Sequence, residues 1–210
     1  MGAYKKPHGG ELKNLYIERQ DAEDEKVLAR DLPSWDLTMR QLSDLEMLLN
    51  GAFSPLEGFM NADDYQGVLA DMRLASGVMW PMPIMLDVTE EFAESIEPGK
   101  RIALRDQEGV LIATMEVGSK FSPDKKAEAL AVFGTADEAH PAVHYLNNQA
   151  NNVYLGGTLR GVEPPHHYDF RHLRDSPAQV RAQFEKLGWR KVVAFQTRNP
   201  MHRAHQELTF

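Results

Sequence analysis

The chain has 210 residues, of which 42% are hydrophobic and 26% charged, and its 31 acidic and 23 basic side chains give a net charge of -8. This composition excludes disordered and collagen-like chains and allows one large domain or two smaller ones. No cysteine is present, which excludes disulfides, zinc–thiolate sites and a cysteine nucleophile, and we expect a cytoplasmic protein because no signal peptide or membrane-spanning stretch occurs.

Charge is divided unevenly along the chain. Residues 1–160 contain 15 Lys and Arg against 26 Asp and Glu, a net charge of -11, whereas residues 161–210 contain 8 against 5, a net charge of +3. Five of the eight histidines also follow residue 160. Because nucleic-acid phosphates are bound by clustered cations, the acidic part predicts no nucleic-acid partner, and the basic end suits a small anionic ligand.

The first 75 residues contain two predicted helices. Ser43 and Glu46 form a capping-box pattern ahead of a leucine-rich face, and Gly51 can end this helix in the left-handed conformation. Asn61 predicts the cap of a second helix over residues 62–71. Upstream of both helices, we interpret the acidic run Asp21–Lys26 as a solvated face.

From Val78 to Val117 the pattern changes to short β-type runs. Three runs bounded by Pro-Gly and Glu-Gly turns predict strands, namely Ile84–Val88, Arg101–Arg105 and Val110–Val117. Ser122 and Pro123 predict the start of a helix that ends at Gly134. These elements predict a mixed α+β domain built on a small sheet or barrel.

The pattern becomes α/β after the stretch Val153–Pro165, which predicts a last strand and a linker. A capping box at Ser176, followed by proline, predicts a helix that ends near Gly188. Lys191–Phe195 then predicts a buried strand, and a polar loop follows before a new helix that begins at Met201. We expect a truncated chain, because one strand and part of a helix do not complete a parallel sheet.

The polar segment after this strand carries the candidate chemistry. A strand that leads through a loop into a helix places backbone N–H groups at the carboxyl edge of a sheet, where α/β proteins bind anions. The loop side chains are hydrogen-bond donors suited to tetrahedral oxyanions: Gln196, Thr197, Arg198 and Asn199. His202 and His205, three residues apart, would share one helical face.

Other interpretations of the histidines remain open at this point. An isolated pair such as His202 and His205 is more often found at a surface or helix end than in a site, and no third ligand nearby supports zinc. His140 and His144 flank a proline, and we interpret them, like the pair at 166–167, as parts of capped turns or linker packing.

The segment QTRNPMHRAH at 196–205 resembles the signature of the ATP sulfurylase (sulfate adenylyltransferase) family. The fungal-type branch of that family is the most similar, and the likeness covers almost the whole chain. Further segments resemble its N-terminal half in the same order: PHGG at 7–10, SDLEMLLNGAFSPLEGFM at 43–60, WPMPIMLDV at 80–88, AHPAVHYL at 139–146 and GGTLRGVEPPHHYDF at 156–170. The family's second nucleotide signature, G-R-D-H-A, and the G-x-x-x-x-G-K-[ST] loop of an adenylylsulfate kinase are absent.

The resemblance implies a PUA-like N-terminal domain, residues 1–168, followed by the start of an α/β nucleotidyltransferase domain, residues 169–210. It implies the conversion of ATP and sulfate to adenosine 5′-phosphosulfate and pyrophosphate, the first step of sulfate activation. The truncated chain would be inactive alone. The alternative from another class is a non-catalytic PUA-like module that binds RNA or forms an oligomer interface.

The resemblance also implies roles for single residues. Gln196 and Arg198 would bind sulfate, and the catalytic group would comprise Thr197, Arg198, Asn199, His202 and His205. All six residues would contact the nucleotide. Mg²⁺ would enter as Mg-ATP with no tightly bound protein metal, and the full-length protein would be a homo-oligomer that binds neither nucleic acid nor membrane.

Overall fold

Six strands form one sheet in the computed structural model, which describes residues 6–209. They are β1 (Ser34–Asp36), β2 (Gly58–Phe59), β3 (Leu86–Val88), β4 (Arg101–Arg105), β5 (Leu111–Phe121) and β6 (Val153–Gly161). The order is β1-β4-β5-β6-β2, and β3 also pairs with β6. Only β1 and β4 are parallel among these pairs. The sheet confirms the predicted α+β class.

Eight α-helices surround this sheet or follow it in the described part of the chain. They are α1 (Arg19–Leu28), α2 (Met39–Leu49), α3 (Ala62–Asp71), α4 (Glu90–Glu94), α5 (Lys125–Phe133), α6 (Pro141–Asn148), α7 (Pro177–Lys186) and α8 (Arg203–Thr209). A short 3₁₀ helix, Arg171–Leu173, precedes α7. Within residues 6–209, none of these helices has the length and apolar character needed to cross a membrane.

Strand β6 is an interior strand of the sheet with partners on both edges. It pairs with β5 from Ala113 opposite Gly161 to Phe121 opposite Tyr154, and its other edge pairs with β2 and β3. A Cβ atom on Gly157 would overlap the carbonyl oxygen of Glu116 on β5. Glycine is therefore required where the backbones of β5 and β6 approach each other.

The core fills the space between α2 and one face of the sheet. Leu45, Leu48 and Leu49 of α2 are fully buried, as their helical spacing predicts, and they belong to the same cluster as Leu104 and Leu155. Burial of one such leucine side chain contributes about 1.5–3 kcal/mol relative to its exposure. Helix α2 is therefore held mainly by packing against the sheet.

The start of α2 corrects the sequence prediction. The predicted capping box at Ser43 and Glu46 is wrong, because the helix begins five residues earlier with a capping box between Thr38 and Gln41. Thr38 Oγ1 accepts from the Gln41 N–H at 3.2 Å, and Gln41 Oε1 accepts from the Thr38 N–H at 3.0 Å. Ser43 lies inside the helix, where its hydroxyl donates to the carbonyl of Met39.

Helix α1 replaces the solvated face predicted for Asp21–Lys26, and that prediction is wrong for Glu25, which is 5% exposed. The Glu25 carboxylate accepts hydrogen bonds from Arg101 Nη1 at 3.0 Å, Arg160 Nε at 3.2 Å and Thr114 Oγ1 at 2.6 Å. A buried charge is tolerated where cations and donors satisfy it. These three partners come from β4, β5 and β6, so Glu25 ties α1 to the sheet.

Most other predicted elements are confirmed with small shifts. The helix over residues 62–71 and the strand Arg101–Arg105 match the structure, and the predicted helix after Ser122 is α5, capped by Asp124. The capping box at Ser176 opens α7 as predicted. Helices α4 and α6 were not predicted from the sequence.

The predicted strand Lys191–Phe195 is wrong in the described structure. The segment is exposed, Val193 by 94%, and none of the described strands pairs with it. A short apolar run such as Val192–Phe195 favours a strand only where neighbouring strands supply its hydrogen bonds. The helix expected from Met201 begins instead at Arg203.

The close approach of β5 and β6 predicts the effect of one substitution. Gly157→Ala is expected to lower the free energy of unfolding by about 2 kcal/mol or more, because the new methyl group displaces the Glu116 carbonyl. The exposed neighbour Thr158 provides a control. The substitution Thr158→Val is expected to change the free energy of unfolding by less than about 1 kcal/mol. Urea unfolding of both variants measures the difference. Equal stability of the two variants would contradict the predicted overlap.

Candidate functional site

The polar segment predicted from the sequence lies on the surface. All residues from Gln196 to Arg203 are exposed, and the Thr197 side chain orders part of the loop. Thr197 Oγ1 accepts from the Asn199 N–H at 3.2 Å and donates to the Asn199 carbonyl at 3.0 Å. This local turn leaves the amide side chain of Asn199 free of hydrogen bonds to the described residues.

The structure brings His202 and His205 together. Their ring centroids are 4.0 Å apart with planes inclined by 29°, and Phe195 lies 5.8 Å from His205. His202 precedes α8 rather than lying on it, so the predicted common helical face is wrong, although the two rings still stack. The two rings come together because the chain turns into α8 at Arg203.

Hydrogen bonds define which ring nitrogens of the two histidines are available. His202 Nδ1 faces the Ala204 N–H at 3.2 Å, and His205 Nδ1 faces the His202 N–H at 3.4 Å. Since Nδ1 accepts in both rings, a neutral ring carries its proton on Nε2. Each histidine therefore offers an Nε2–H donor that faces away from its own backbone contact.

The electrostatics of the segment favour anions. Residues 196–205 include Arg198 and Arg203 but no carboxylate. Gln196 and Arg198 form no hydrogen bond or ion pair with any described side chain, so their donors remain available for a ligand. The donor set fits phosphate or sulfate oxygens.

No metal centre is formed by the described residues, since no cluster of three or more His, Asp or Glu could hold an ion. Mg²⁺ prefers carboxylate, carbonyl and phosphate oxygens, and the 196–205 segment supplies mainly N–H donors. The side chains of this segment are therefore suited to contacts with anions and not to direct coordination of a metal ion.

A large cleft lies away from this segment, at the linker that follows β6. It has a volume of about 1000 Å³, and its walls include Tyr16, Glu46, His167 and Arg171. His167 Nε2 is 2.8 Å from Glu46 Oε1, which joins the linker to α2. Burial raises the pKa of Tyr16 to about 12, so its hydroxyl stays protonated at neutral pH. None of the six predicted site residues lines this cleft.

A second, smaller cavity of about 280 Å³ was not predicted from the sequence. It lies between α2, α5, α6 and strands β3 and β6, and its walls combine apolar side chains with Arg40, Asp87 and Glu128. These three charged residues are separated by 40 or more positions, so no sequence motif could have indicated that they meet. Only the folded sheet and helices bring them to one cavity.

Two protein families match the chain. A PUA-like domain matches residues 5–164, and an ATP-sulfurylase domain matches residues 171–210. The second match includes all six predicted site residues. The change of family between residues 164 and 171 falls in the linker beside the large cleft.

Curated relatives from fungi are similar over almost the whole chain. The sulfate adenylyltransferases of Eremothecium gossypii, Mycosarcoma maydis and Saccharomyces cerevisiae are 51%, 52% and 49% identical over 205, 209 and 207 residues. Each alignment covers 97% of this chain but only 41%, 36% and 40% of the relative. The chain therefore spans about two fifths of the length of these proteins.

A solved structure is also similar to this chain in its three-dimensional fold. The protein described as hexameric APS kinase from Thiobacillus denitrificans superposes with a TM-score of 0.78 at 35% identity. The superposition covers 97% of this chain and 36% of that one. The arrangement of sheet and helices described above is therefore shared with a longer protein.

Proposed function

The chain belongs to the PUA-like domain family and corresponds to the N-terminal part of the sulfate adenylyltransferases, and from that premise we propose its function. It supplies the N-terminal domain and the first catalytic segment of an enzyme that converts ATP and sulfate to adenosine 5′-phosphosulfate and pyrophosphate. The observation that carries the proposal is the 196–205 segment, where exposed donors without a carboxylate lie inside the ATP-sulfurylase match.

The donors in this segment suit the chemistry. Sulfate is ionised at neutral pH, so its attack on the α-phosphorus of ATP requires no general base. The main obstacle is electrostatic, because a dianion must approach a polyphosphate while charge develops on the leaving pyrophosphate. Preorganised N–H donors and a guanidinium stabilise such charge.

Each residue has a proposed role. Gln196 and Arg198 bind the sulfate oxygens, and the Arg198 guanidinium can donate two parallel hydrogen bonds to one anion. Thr197 and Asn199 contact the nucleotide, and the two hydrogen bonds between the Thr197 hydroxyl and the Asn199 backbone shape the loop. The Nε2–H groups of His202 and His205 donate to ATP phosphates, and Mg²⁺, when bound to those phosphates, offsets part of their charge.

The proposal also covers the domain boundary, the cellular location and the oligomeric state. We place the PUA-like domain at residues 1–168 and the start of the nucleotidyltransferase domain at residues 169–210, in agreement with the change of family between residues 164 and 171. The full-length protein is proposed to be a cytoplasmic homo-oligomer, supported by the hexamer named for the similar solved structure. The net charge of -11 over residues 1–160 opposes RNA binding by this domain.

The 210-residue chain alone is expected to show little or no adenylyl transfer. It contains residues 171–210 of the ATP-sulfurylase match and about two fifths of the length of its relatives, so much of the catalytic surface is missing from it. Pyrophosphate release from Mg-ATP and sulfate measures the activity. Turnover comparable to that of a full-length relative would contradict this expectation.

Arg198→Ala, in a full-length enzyme that carries this sequence, is expected to lower kcat by about 10²–10³ while the protein stays folded. The lost guanidinium contacts oxyanions most strongly in the transition state, and Arg198→Lys should rescue little because an ammonium lacks the fork. Arg190→Ala, exposed and outside the segment, is the matched control. Unchanged kcat in the Arg198→Ala enzyme would rule out the proposed sulfate contact.

The two histidines are expected to act as donors and not as metal ligands. In the same full-length enzyme, His202→Ala and His205→Ala should each reduce turnover, and His202→Asn should retain part of it because an amide also donates. After a chelator has removed any tightly bound metal, addition of Mg²⁺ alone should restore full activity. Kinetics and elemental analysis test this together. One equivalent of zinc that is lost in both Ala variants would assign the histidines to a metal site instead.

A further inference from the structure

The 280 Å³ cavity has the features of a ligand site. Helix α2 contributes Arg40 at its rim, and the apolar part of the wall includes Met82, Met85, Phe133 and Leu146. Its volume is just below the range of about 300–1000 Å³ typical of sites for drug-sized ligands. An occupant would therefore be a small molecule with an apolar portion.

Glu128 gives the cavity an acceptor that the protein does not use. The residue is 8% exposed, and its Oε2 atom accepts from the hydroxyls of Tyr65 at 2.9 Å and Tyr154 at 3.1 Å. Its Oε1 atom accepts no hydrogen bond from residues 6–209, and it is not among the fully occluded polar atoms that lack a partner. Because Glu128 lines the cavity, Oε1 is open to an occupant.

The charge of Glu128 is not neutralised by an ion pair. No cation lies within 4 Å of its carboxylate among the described residues, and burial raises the pKa of the carboxyl. Lys125, on the same helix, donates its ammonium to the carbonyl of Ala150 at 2.7 Å and does not line the cavity. An incoming cation would therefore stabilise the ionised form of Glu128.

Two further charged groups, Asp87 and Arg40, line the cavity. Both carboxylate oxygens of Asp87 already accept from Gln41 or Asn151. The Arg40 guanidinium lies 4.9 Å from the centroid of the Tyr145 ring, and the carboxylates of Asp44 and Asp87 attract it without forming an ion pair within 4 Å. Arg40 therefore offers donors to an anion at the rim, while Glu128 offers an acceptor in the interior.

We propose that this cavity binds a small zwitterion, an α-amino acid with an apolar side chain. The ammonium donates to Glu128 Oε1, the carboxylate pairs with Arg40, and the side chain packs against Met85, Phe133 and Leu146. A metal ion fits the cavity poorly, because its walls are largely apolar and Ca²⁺ or Mg²⁺ requires about six oxygen ligands. A lone anion fits poorly as well, because two buried carboxylates face the same cavity.

A matched ligand series tests the proposal on the 210-residue chain. L-Leucine is expected to bind with a Kd of about 1 mM or tighter, whereas N-acetyl-L-leucine, which lacks the ammonium, and isopentylamine, which lacks the carboxylate, should bind at least about tenfold more weakly. Isothermal titration calorimetry gives the affinities, and amide NMR shifts at Phe133 and Leu146 place the ligand. No saturable binding of L-leucine up to about 10 mM would overturn the proposal, as would equal binding of the amine.

Variants locate the two charges. Glu128→Gln and Arg40→Gln are each expected to weaken L-leucine binding at least about tenfold. The exposed controls Glu94→Gln and Lys126→Gln change the charge by the same amounts outside the cavity and should leave the affinity unchanged. If L-leucine binds either cavity variant with unchanged affinity, the contact with that residue is wrong. The proposal of a zwitterionic ligand is then overturned as well.

A third variant keeps the test valid if loss of Glu128 disturbs the hydroxyls of Tyr65 and Tyr154. Ala142 lines the cavity from α6, and Ala142→Phe is expected to fill it and abolish binding while Glu128 and its two partners remain. Thermal unfolding verifies that each variant is folded. Binding of L-leucine to a folded Ala142→Phe protein with wild-type affinity would place the ligand elsewhere and overturn the proposal.

Discussion

The fold depends on the close approach of strand β6 to its neighbours on both edges. A Cβ atom on Gly157 would overlap the Glu116 carbonyl of β5, and one on Gly156 would overlap the Met60 carbonyl just after β2. A Cβ atom on Gly161 would lie 2.8 Å from Cδ1 of the Tyr16 ring, which is also too close for a real Cβ contact. Since every one of these contacts involves backbone or a packed ring, larger residues on β6 would separate the sheet from the segments that close over it.

The same strand determines where the chain leaves the PUA-like domain. The Gly161 N–H donates to the Leu15 carbonyl at 2.8 Å, and the Gly161 carbonyl accepts from the Ile17 N–H at 3.0 Å. Beyond it, two prolines restrict the linker, and His167 contacts Glu46 of α2 at 2.8 Å. The part of the chain that matches the ATP-sulfurylase family therefore starts from a fixed point on the domain surface, beside the large cleft.

Local signals were sufficient for the elements whose ends are defined by neighbouring residues. The capping box at Ser176 and the strand Arg101–Arg105 between two glycine turns are examples. Helix α1 was missed because the partners of Glu25 lie 76 to 135 positions away, which no local pattern records. Lys191–Phe195 failed for the converse reason: its apolar pattern is local, but its hydrogen-bond partners must come from other strands. The residue types of the candidate site could be chosen from the sequence, whereas the stacking of its histidines could not.

The two parts of the chain differ in charge. In the acidic first 160 residues, buried carboxylates are satisfied by neutral donors or arginines, and the free acceptor at Glu128 attracts a cation. In the basic end, the donors of Gln196, Arg198 and the histidines face no carboxylate within their segment. Exposed charges act over about 8 Å at physiological salt, so each region mainly governs its own surroundings. The first region therefore favours cations and the second favours anions, so the site that we propose at Glu128 and the site that we propose at residues 196–205 take ligand groups of opposite charge.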